Sequence, residues 1–112
     1  KLDGHGDSSV LTCVFSPDGR YLATGGYDKR IKLWSLQTGR SVATLEGHTH
    51  NVQALAFSPN GHWLLSGARN GGMRLWRMSD YACQYSVFLD RGVTSCAFLP
   101  DSERVLIGSG SG

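Results

Sequence analysis

Two stretches of the chain are nearly the same sequence written twice, and a third begins to repeat them. Val10 to Trp34 reads VLTCVFSPDGRYLATGGYDKRIKLW, and Val52 to Trp76 reads VQALAFSPNGHWLLSGARNGGMRLW. From Val93 the chain continues VTSCAFLPDSERVLIGSG. Phe15 and Phe57 are separated by 42 positions, as are Trp34 and Trp76, and Phe98 follows Phe57 by 41. A repeat of this length is one supersecondary unit that cannot bury its own apolar faces, so it must stack on neighbouring copies. The repeat therefore constrains the fold before any single residue does. It divides the 112 residues into about two and a half modules rather than one ordinary domain.

Composition is that of a globular protein, 40% hydrophobic and 18% charged, with 15 glycines available for turns. The formal net charge of +2 is too mild to argue for nucleic acid or an anionic membrane surface. The cluster Lys29, Arg30 and Lys32 reads as a solvated strand face. No apolar stretch approaches the ~18 residues of a membrane span, and no signal peptide is visible. Cys13, Cys83 and Cys96 are odd in number and lack CxxC spacing. Two of them share a repeat position with Leu55, so they read as small buried hydrophobes, and reduced thiols fit an intracellular protein, cytoplasmic or nuclear.

Within a module the first apolar positions fall at Val10, Cys13, Phe15, then Val52, Leu55, Phe57, then Val93, Cys96, Phe98. Spacing of three and then two breaks strict alternation and predicts a β-bulge in each first strand. Pro17-Asp18-Gly19 and Pro59-Asn60-Gly61 follow as turns, proline fixing φ and glycine free to take positive φ. Second strands are expected at 21–25 and 63–67, tight turns at Tyr27-Asp28-Lys29 and Arg69-Asn70-Gly71, third strands at 31–34 and 73–76, and fourth strands at 41–45 and 82–88. Gly25, Gly26, Gly71 and Gly72 read as turn glycines. No segment has a helical period. Four short antiparallel strands per repeat suit a sandwich or a propeller, and the repeat length selects the propeller.

The ordered series Gly4-His5 and Gly47-His48, FSPDG at 15–19, FSPNG at 57–61, and closing Trp34 and Trp76 resembles the WD40 repeat family across essentially the whole chain. The resemblance implies an all-β fold of WD40-type β-propeller blades, each a four-stranded antiparallel sheet, here an incomplete ring. Repeat 1 is expected over about 2–44, repeat 2 over about 45–87, and an incomplete repeat 3 over about 88–112. It also implies a buried hydrogen-bonded tetrad in each blade: His5, Thr24, Asp28 and Trp34 in the first, and His48, Ser66, Asn70 and Trp76 in the second. The physical logic is that a buried indole N–H needs an acceptor and a carboxylate fixes an imidazole tautomer. Asn70 replaces the aspartate and can still accept from the histidine, without charge assistance. The third copy, with Ile107 and Ser111 at the corresponding positions, lacks a tetrad, and Ser35 and Arg77 replace the aspartate that usually follows each tryptophan.

His5, Thr24 and Asp28 superficially suggest a catalytic triad, but the same constellation partly recurs one repeat later, as a structural device does and a catalytic site does not. His48-Thr49-His50 could offer two imidazoles to a metal, yet His48 belongs to the tetrad pattern and no cysteine or carboxylate cluster lies near. No phosphate-binding GxxxxGK[ST] occurs. The expectation is no enzyme, no cofactor and no metal. By resemblance, a partner-binding face is formed by Ser9, Leu11 and Tyr27, by Asn51, Gln53 and Arg69, and by Gly92 and Thr94. Tyr27 and Arg69 are of the types enriched in interface hot spots.

The expected function is a non-enzymatic protein–protein interaction scaffold, a segment of a larger WD40 propeller that holds partners in an intracellular complex. Its partners are other proteins or peptides and the rest of its own propeller, with no membrane, and the mild charge argues against nucleic acid. Two alternatives are a substrate receptor or adaptor reading phosphorylated or acidic peptides, and a purely structural subunit of a multiprotein assembly. Gly108-Ser109-Gly110-Ser111-Gly112 reads either as the strand end and turn of a repeat cut short or as a flexible linker.

Overall fold

The computed structural model describes residues 10–101 and 104–109. All of its regular structure is β. The first repeat forms β1 (Val10–Phe15), β2 (Tyr21–Gly26), β3 (Ile31–Ser35) and β4 (Ser41–Leu45). The second forms β5 (Val52–Phe57), β6 (Trp63–Ala68), β7 (Gly72–Arg77) and β8 (Cys83–Phe88), and the third contributes β9 (Val93–Phe98) and β10 (Val105–Ser109). These make two four-stranded antiparallel sheets in the order β1-β2-β3-β4 and β5-β6-β7-β8, with a two-stranded sheet of β9 and β10. The strands β1, β5 and β9 pack side by side, so the sheets stack as successive open blades.

Each first strand slips register as its broken alternation predicts: between Val10 and Thr12, between Val52 and Ala54, and opposite Val93 where Gly108 passes to Ser109. The turns that follow are copies of one another. The Ser16 hydroxyl donates to Asp18 Oδ1 at 2.6 Å and accepts the Tyr21 N–H at 3.0 Å. The Ser58 hydroxyl donates to Asn60 Oδ1 at 2.6 Å and accepts the Trp63 N–H at 3.0 Å. Gly19 and Gly61 take φ of 73° and 77°. A second register slip, between Leu33 and Trp34 and again between Leu75 and Trp76, lies where the third and fourth strands pair.

Alternation in the middle sheet divides its side chains between two interfaces. Leu55, Leu64 and Trp76 join Ala23, Ile31, Leu33 and Leu45 of the first sheet in one core. Ala54, Leu65 and Met73 join Val93 of the third sheet in the other. Val52 is seated against Gly25: a Cβ on that glycine would lie 2.6 Å from Val52 Cγ1. Val93 is seated against Gly67 in the same way, at 2.3 Å. Gly25 and Gly26 are therefore strand residues of β2, and Gly72 opens β7. Of the four glycines read as turn residues, Gly71 is the one that sits in a turn at positive φ, 92°.

The cysteines also depart from expectation. Cys96 is half-buried, with its sulfur 3.8 Å from the Leu65 carbonyl, whereas Cys13 and Cys83 are exposed. Cys13 lies on the first sheet at the position that Leu55 and Cys96 occupy against a preceding sheet, and no described sheet packs there. Cys83 belongs to β8, whose six residues are all exposed.

Among the described residues, two that are not glycine hold left-handed backbone, Lys29 at φ 69° and Tyr81 at φ 62°. Each stands where the other repeat has glycine: Gly71 corresponds to Lys29, and Gly39, at φ 74°, corresponds to Tyr81. That conformation costs an L-residue roughly 1–2 kcal/mol relative to the right-handed region.

Candidate functional site

Antiparallel order gives every blade two edges. The upper edge carries the β2–β3 and β6–β7 turns, the starts of β1, β5 and β9, and the connections entering those strands; the lower edge carries the β1–β2 and β3–β4 turns and their equivalents. The residues expected to bind partners fall on the upper edge by this topology. Leu11 is exposed near the start of β1, and Tyr27, 49% exposed, opens the β2–β3 turn. Arg69 occupies the equivalent turn position in the next sheet and is also exposed. Ser9 and His5 lie outside the described residues.

Between the second and third sheets the structure draws several of these residues together. Arg69 donates its backbone N–H to the Asn51 carbonyl at 2.9 Å. A Cβ on Gly92 would lie 2.3 Å from the Arg69 carbonyl, so that segment passes directly against the Arg69 turn. The Gln53 amide donates to the Val93 carbonyl at 3.2 Å, which joins β5 to β9. Gln53 is thus partly committed to holding two sheets together. The Thr94 hydroxyl donates to the Gly108 carbonyl at 3.2 Å and is otherwise exposed. Arg69 stands out of this backbone junction with its side chain in solvent, while Tyr27 belongs to the neighbouring sheet's turn.

Beneath the upper edge lie the buried polar groups. The Trp76 indole N–H donates to Ser66 Oγ at 2.8 Å, and Ser66 Oγ is 2.6 Å from His48 Nε2. The Arg74 carbonyl is 3.4 Å from the same hydroxyl. A hydroxyl has one proton: it goes to Nε2 in the Nδ1–H tautomer of His48, and to the Arg74 carbonyl in the Nε2–H tautomer. Burial, aided by the nearby Arg74 guanidinium, holds the His48 pKa down to about 4. In the first sheet the Trp34 indole donates to Thr24 Oγ1 at 2.9 Å.

Asn70 is arranged differently from the sequence reading. Its carbonyl accepts the Gly72 N–H at 3.0 Å and its amide donates to Thr49 Oγ1 at 3.0 Å. Among the described residues no hydrogen bond joins Asn70 to His48, because the asparagine carbonyl caps its own turn. Asp28 makes the corresponding cap, accepting the Arg30 N–H at 3.2 Å.

Sequence reading missed the part played by Arg74. Its guanidinium lies over the Trp76 ring, 5.8 Å from the centroid, and reaches Cys83 Sγ at 3.3 Å. A Cβ on Gly47 would lie 2.6 Å from the guanidinium carbon, so the glycine of the Gly47-His48 pair leaves room for this arginine. His50 Nδ1 accepts the Asn51 N–H at 2.9 Å, and no cluster of metal-ligating side chains occurs among the described residues. No helix among them is long and apolar enough to cross a membrane. The Cys96 thiol is pushed up to about 12 by burial, which keeps it protonated and poorly nucleophilic.

Stacked four-stranded blades, with a tryptophan–hydroxyl bond in each complete blade, define a propeller built from repeats. Residues 1–35 and 39–77 match the family model described as WD domain, G-beta repeat, and the chain belongs to the WD40 repeat family. A 49-residue stretch is 37% identical to the general transcriptional corepressor TUP1 of Saccharomyces cerevisiae, covering 44% of this chain and 7% of that protein. The fold is similar to that of the RRP9 WD40 repeats, with a TM-score of 0.82 and 27% identity over 87% of this chain and 31% of that one. It is also similar to the Cps50 (Swd1) β-propeller domain of Myceliophteria thermophila, with a TM-score of 0.85 over 94% of this chain and 34% of the other; at 23% identity that likeness concerns the fold alone. The chain thus spans about a third of these solved propellers and a small part of its curated relative.

Proposed function

We propose that this chain is a non-enzymatic protein-interaction segment of a larger WD40 propeller, and that its upper edge holds partner proteins or peptides in an intracellular complex. The observation that carries the reading is the junction at Arg69. Its backbone is fixed by the Asn51 carbonyl and abutted by Gly92, while its side chain stays exposed on the same edge as Tyr27. A preorganised backbone that presents an arginine and a tyrosine binds at little ordering cost. Sequence relation to a transcriptional corepressor supports scaffolding inside the cell. The site residues are Tyr27 and Arg69 at its centre, flanked by Ser9, Leu11, Asn51, Gln53, Gly92 and Thr94.

Capture of cellular proteins by the intact protein, quantified against a Tyr27→Ala/Arg69→Ala double variant, tests this. A partner set lost at least tenfold from a folded variant is expected, and an unchanged set would refute the face.

The second reading, an acidic or phosphorylated peptide receptor, is favoured by Lys29, Arg30, Arg69 and Arg91, which are exposed in turns and connections of the same edge. Steep loss of captured partners between 50 mM and 300 mM salt would favour it over the first. The third reading, a structural subunit packing through its outer strands, is favoured by Tyr85 and Phe88 of β8, 64% and 67% exposed. Crosslinks confined to β8 and the lower edge would select it.

A further inference from the structure

The lower edge holds a feature that the partner face on the upper edge does not explain. Between the two complete sheets lies a cleft of about 570 Å³. Tyr21, Phe57 and Tyr81 bring aromatic rings to it, Met78 and the buried Leu33 line it further, and Asp18 supplies a carboxylate. His62 and Asn60 complete its polar margin. Among the described residues no lysine or arginine lines it. Arg20, next to the Asp18 turn, borders a different recess, and Arg77 is held in a two-pronged ion pair with Asp80 at 3.0 and 2.9 Å.

Two observations give this cleft a chemistry. The first concerns charge. Asp18 Oδ1 accepts the Ser16 hydroxyl and the Arg20 N–H, and these bonds hold the carboxyl below the usual carboxylate range. Oδ1 takes both bonds, which leaves Oδ2 for a cation. An ionised carboxylate beside three aromatic rings is the arrangement that accepts a lysine or arginine side chain, whose charge and flat or aliphatic stem both find a surface there. The second observation is Tyr81 itself. The first sheet makes the same turn with Gly39, and the turn bond is the same: Gly39 N–H to the Ser35 carbonyl at 2.8 Å, Tyr81 N–H to the Arg77 carbonyl at 2.7 Å. Glycine therefore suffices for the turn. What tyrosine adds, in a backbone conformation it resists, is its ring on the cleft.

We propose that this lower-edge cleft is a second docking site, taking an extended segment of a partner protein that bears a lysine or arginine, with Asp18 receiving the cation and Tyr21, Phe57 and Tyr81 packing its stem and apolar neighbours. The site is independent of the upper edge and stands or falls apart from it.

The internal repeat supplies variants that keep the fold. Asp18→Asn installs the residue that Asn60 places in the second sheet, with the same two turn bonds. Tyr81→Gly installs the residue that Gly39 places in the first. Fluorescein-labelled nine-residue peptide pools with a central arginine, lysine, glutamine or glutamate, their flanks randomised among alanine, leucine, proline and tyrosine, are titrated against the intact protein by anisotropy. The basic pools are expected to bind at least tenfold more tightly than the glutamine and glutamate pools. Asp18→Asn is expected to remove most of that preference, and Tyr81→Gly to weaken basic-pool binding at least fivefold without lowering the thermal midpoint. Arg69→Ala, on the opposite edge, is expected to change neither. Basic pools that bind no better than the glutamine pool, or binding indifferent to both Asp18→Asn and Tyr81→Gly, would overturn the proposal.

Discussion

The first and second sheets are built on one plan, and their differences separate what the stack requires from what it leaves open. Shared between them are the serine-capped β1–β2 and β5–β6 turns, the tryptophan–hydroxyl bonds at Trp34–Thr24 and Trp76–Ser66, and a second-strand glycine that receives the next sheet's first valine. These are the parts that set strand register and sheet spacing. The differences fall at the turns. The first sheet tolerates lysine at position 29, where the second must have Gly71, and the second carries Tyr81 where the first has Gly39. The Gly39–Tyr81 pair shows a turn residue at a blade edge varying without disturbing the core, and it is at such edges that the proposed docking sites lie.

Exchanging residues between the two sheets breaks this comparison most sharply at position 71. A Cβ there would lie 2.3 Å from the Leu89 carbonyl oxygen and 2.9 Å from that of Arg91. Gly71→Lys should cost about 4 kcal/mol by combining left-handed strain with overpacking against backbone, read as a lowered denaturant midpoint. The hydroxyl at the centre of the second sheet's polar group comes next. Ser66→Ala leaves the buried Trp76 N–H without its acceptor and should cost about 3 kcal/mol in the same assay.

The pH dependence follows from His48. Its pKa in the folded state, about 4, lies below the ordinary value of 6.5, so between those values the unfolded chain binds more protons. The contribution of neutral His48 is complete above pH 6.5 and is lost as pH falls towards 4, on the order of 3 kcal/mol across the window. Unfolding free energies measured at pH 7 and pH 4.5 should show this loss, and His48→Gln should flatten it. The smallest expected effect is the reverse exchange in the first sheet. Lys29→Gly relieves left-handed strain but loosens the unfolded chain, for a net gain of about 0.5 kcal/mol, visible as a small rise in the thermal midpoint.

Much of the fold was legible because the repeat supplies its own alignment. The strand at 41–45 and the glycines that turn at positive φ after Pro17 and Pro59 follow directly from pattern and turn chemistry. The bulges at Leu33–Trp34 and Leu75–Trp76 were not legible, since they arise where the third and fourth strands meet and leave no break in either strand's alternation. Gly25 was misread for a related reason. Its role depends on Val52, 27 positions away, and local pattern describes glycine as turn-forming. Cys13 and Cys83 were misread because the repeat gives a residue's place in a blade, whereas burial depends on what packs beside that blade.

The candidate sites divide along the same line. The upper edge could be read from resemblance to the family, while the lower cleft required two sheets to be placed together. A single signal for it was present in the sequence: the self-alignment sets Tyr81 against Gly39.

The account rests on consecutive sheets stacking as propeller blades through a valine seated on a glycine. A double-mutant cycle on Gly67 and Val93 in the intact protein, followed by denaturant unfolding, tests that most directly. With Val93 present, Gly67→Ala places a Cβ 2.3 Å from Val93 Cγ1 and should cost about 2 kcal/mol. In the Val93→Ala background the same substitution should cost about 1 kcal/mol less, since Cγ1 is gone and the Cβ that remains lies farther off, at 2.7 Å. Additive effects of the two substitutions would mean that the second and third sheets do not meet at this pair, and would contradict the stacking on which the Arg69 junction of the upper edge depends.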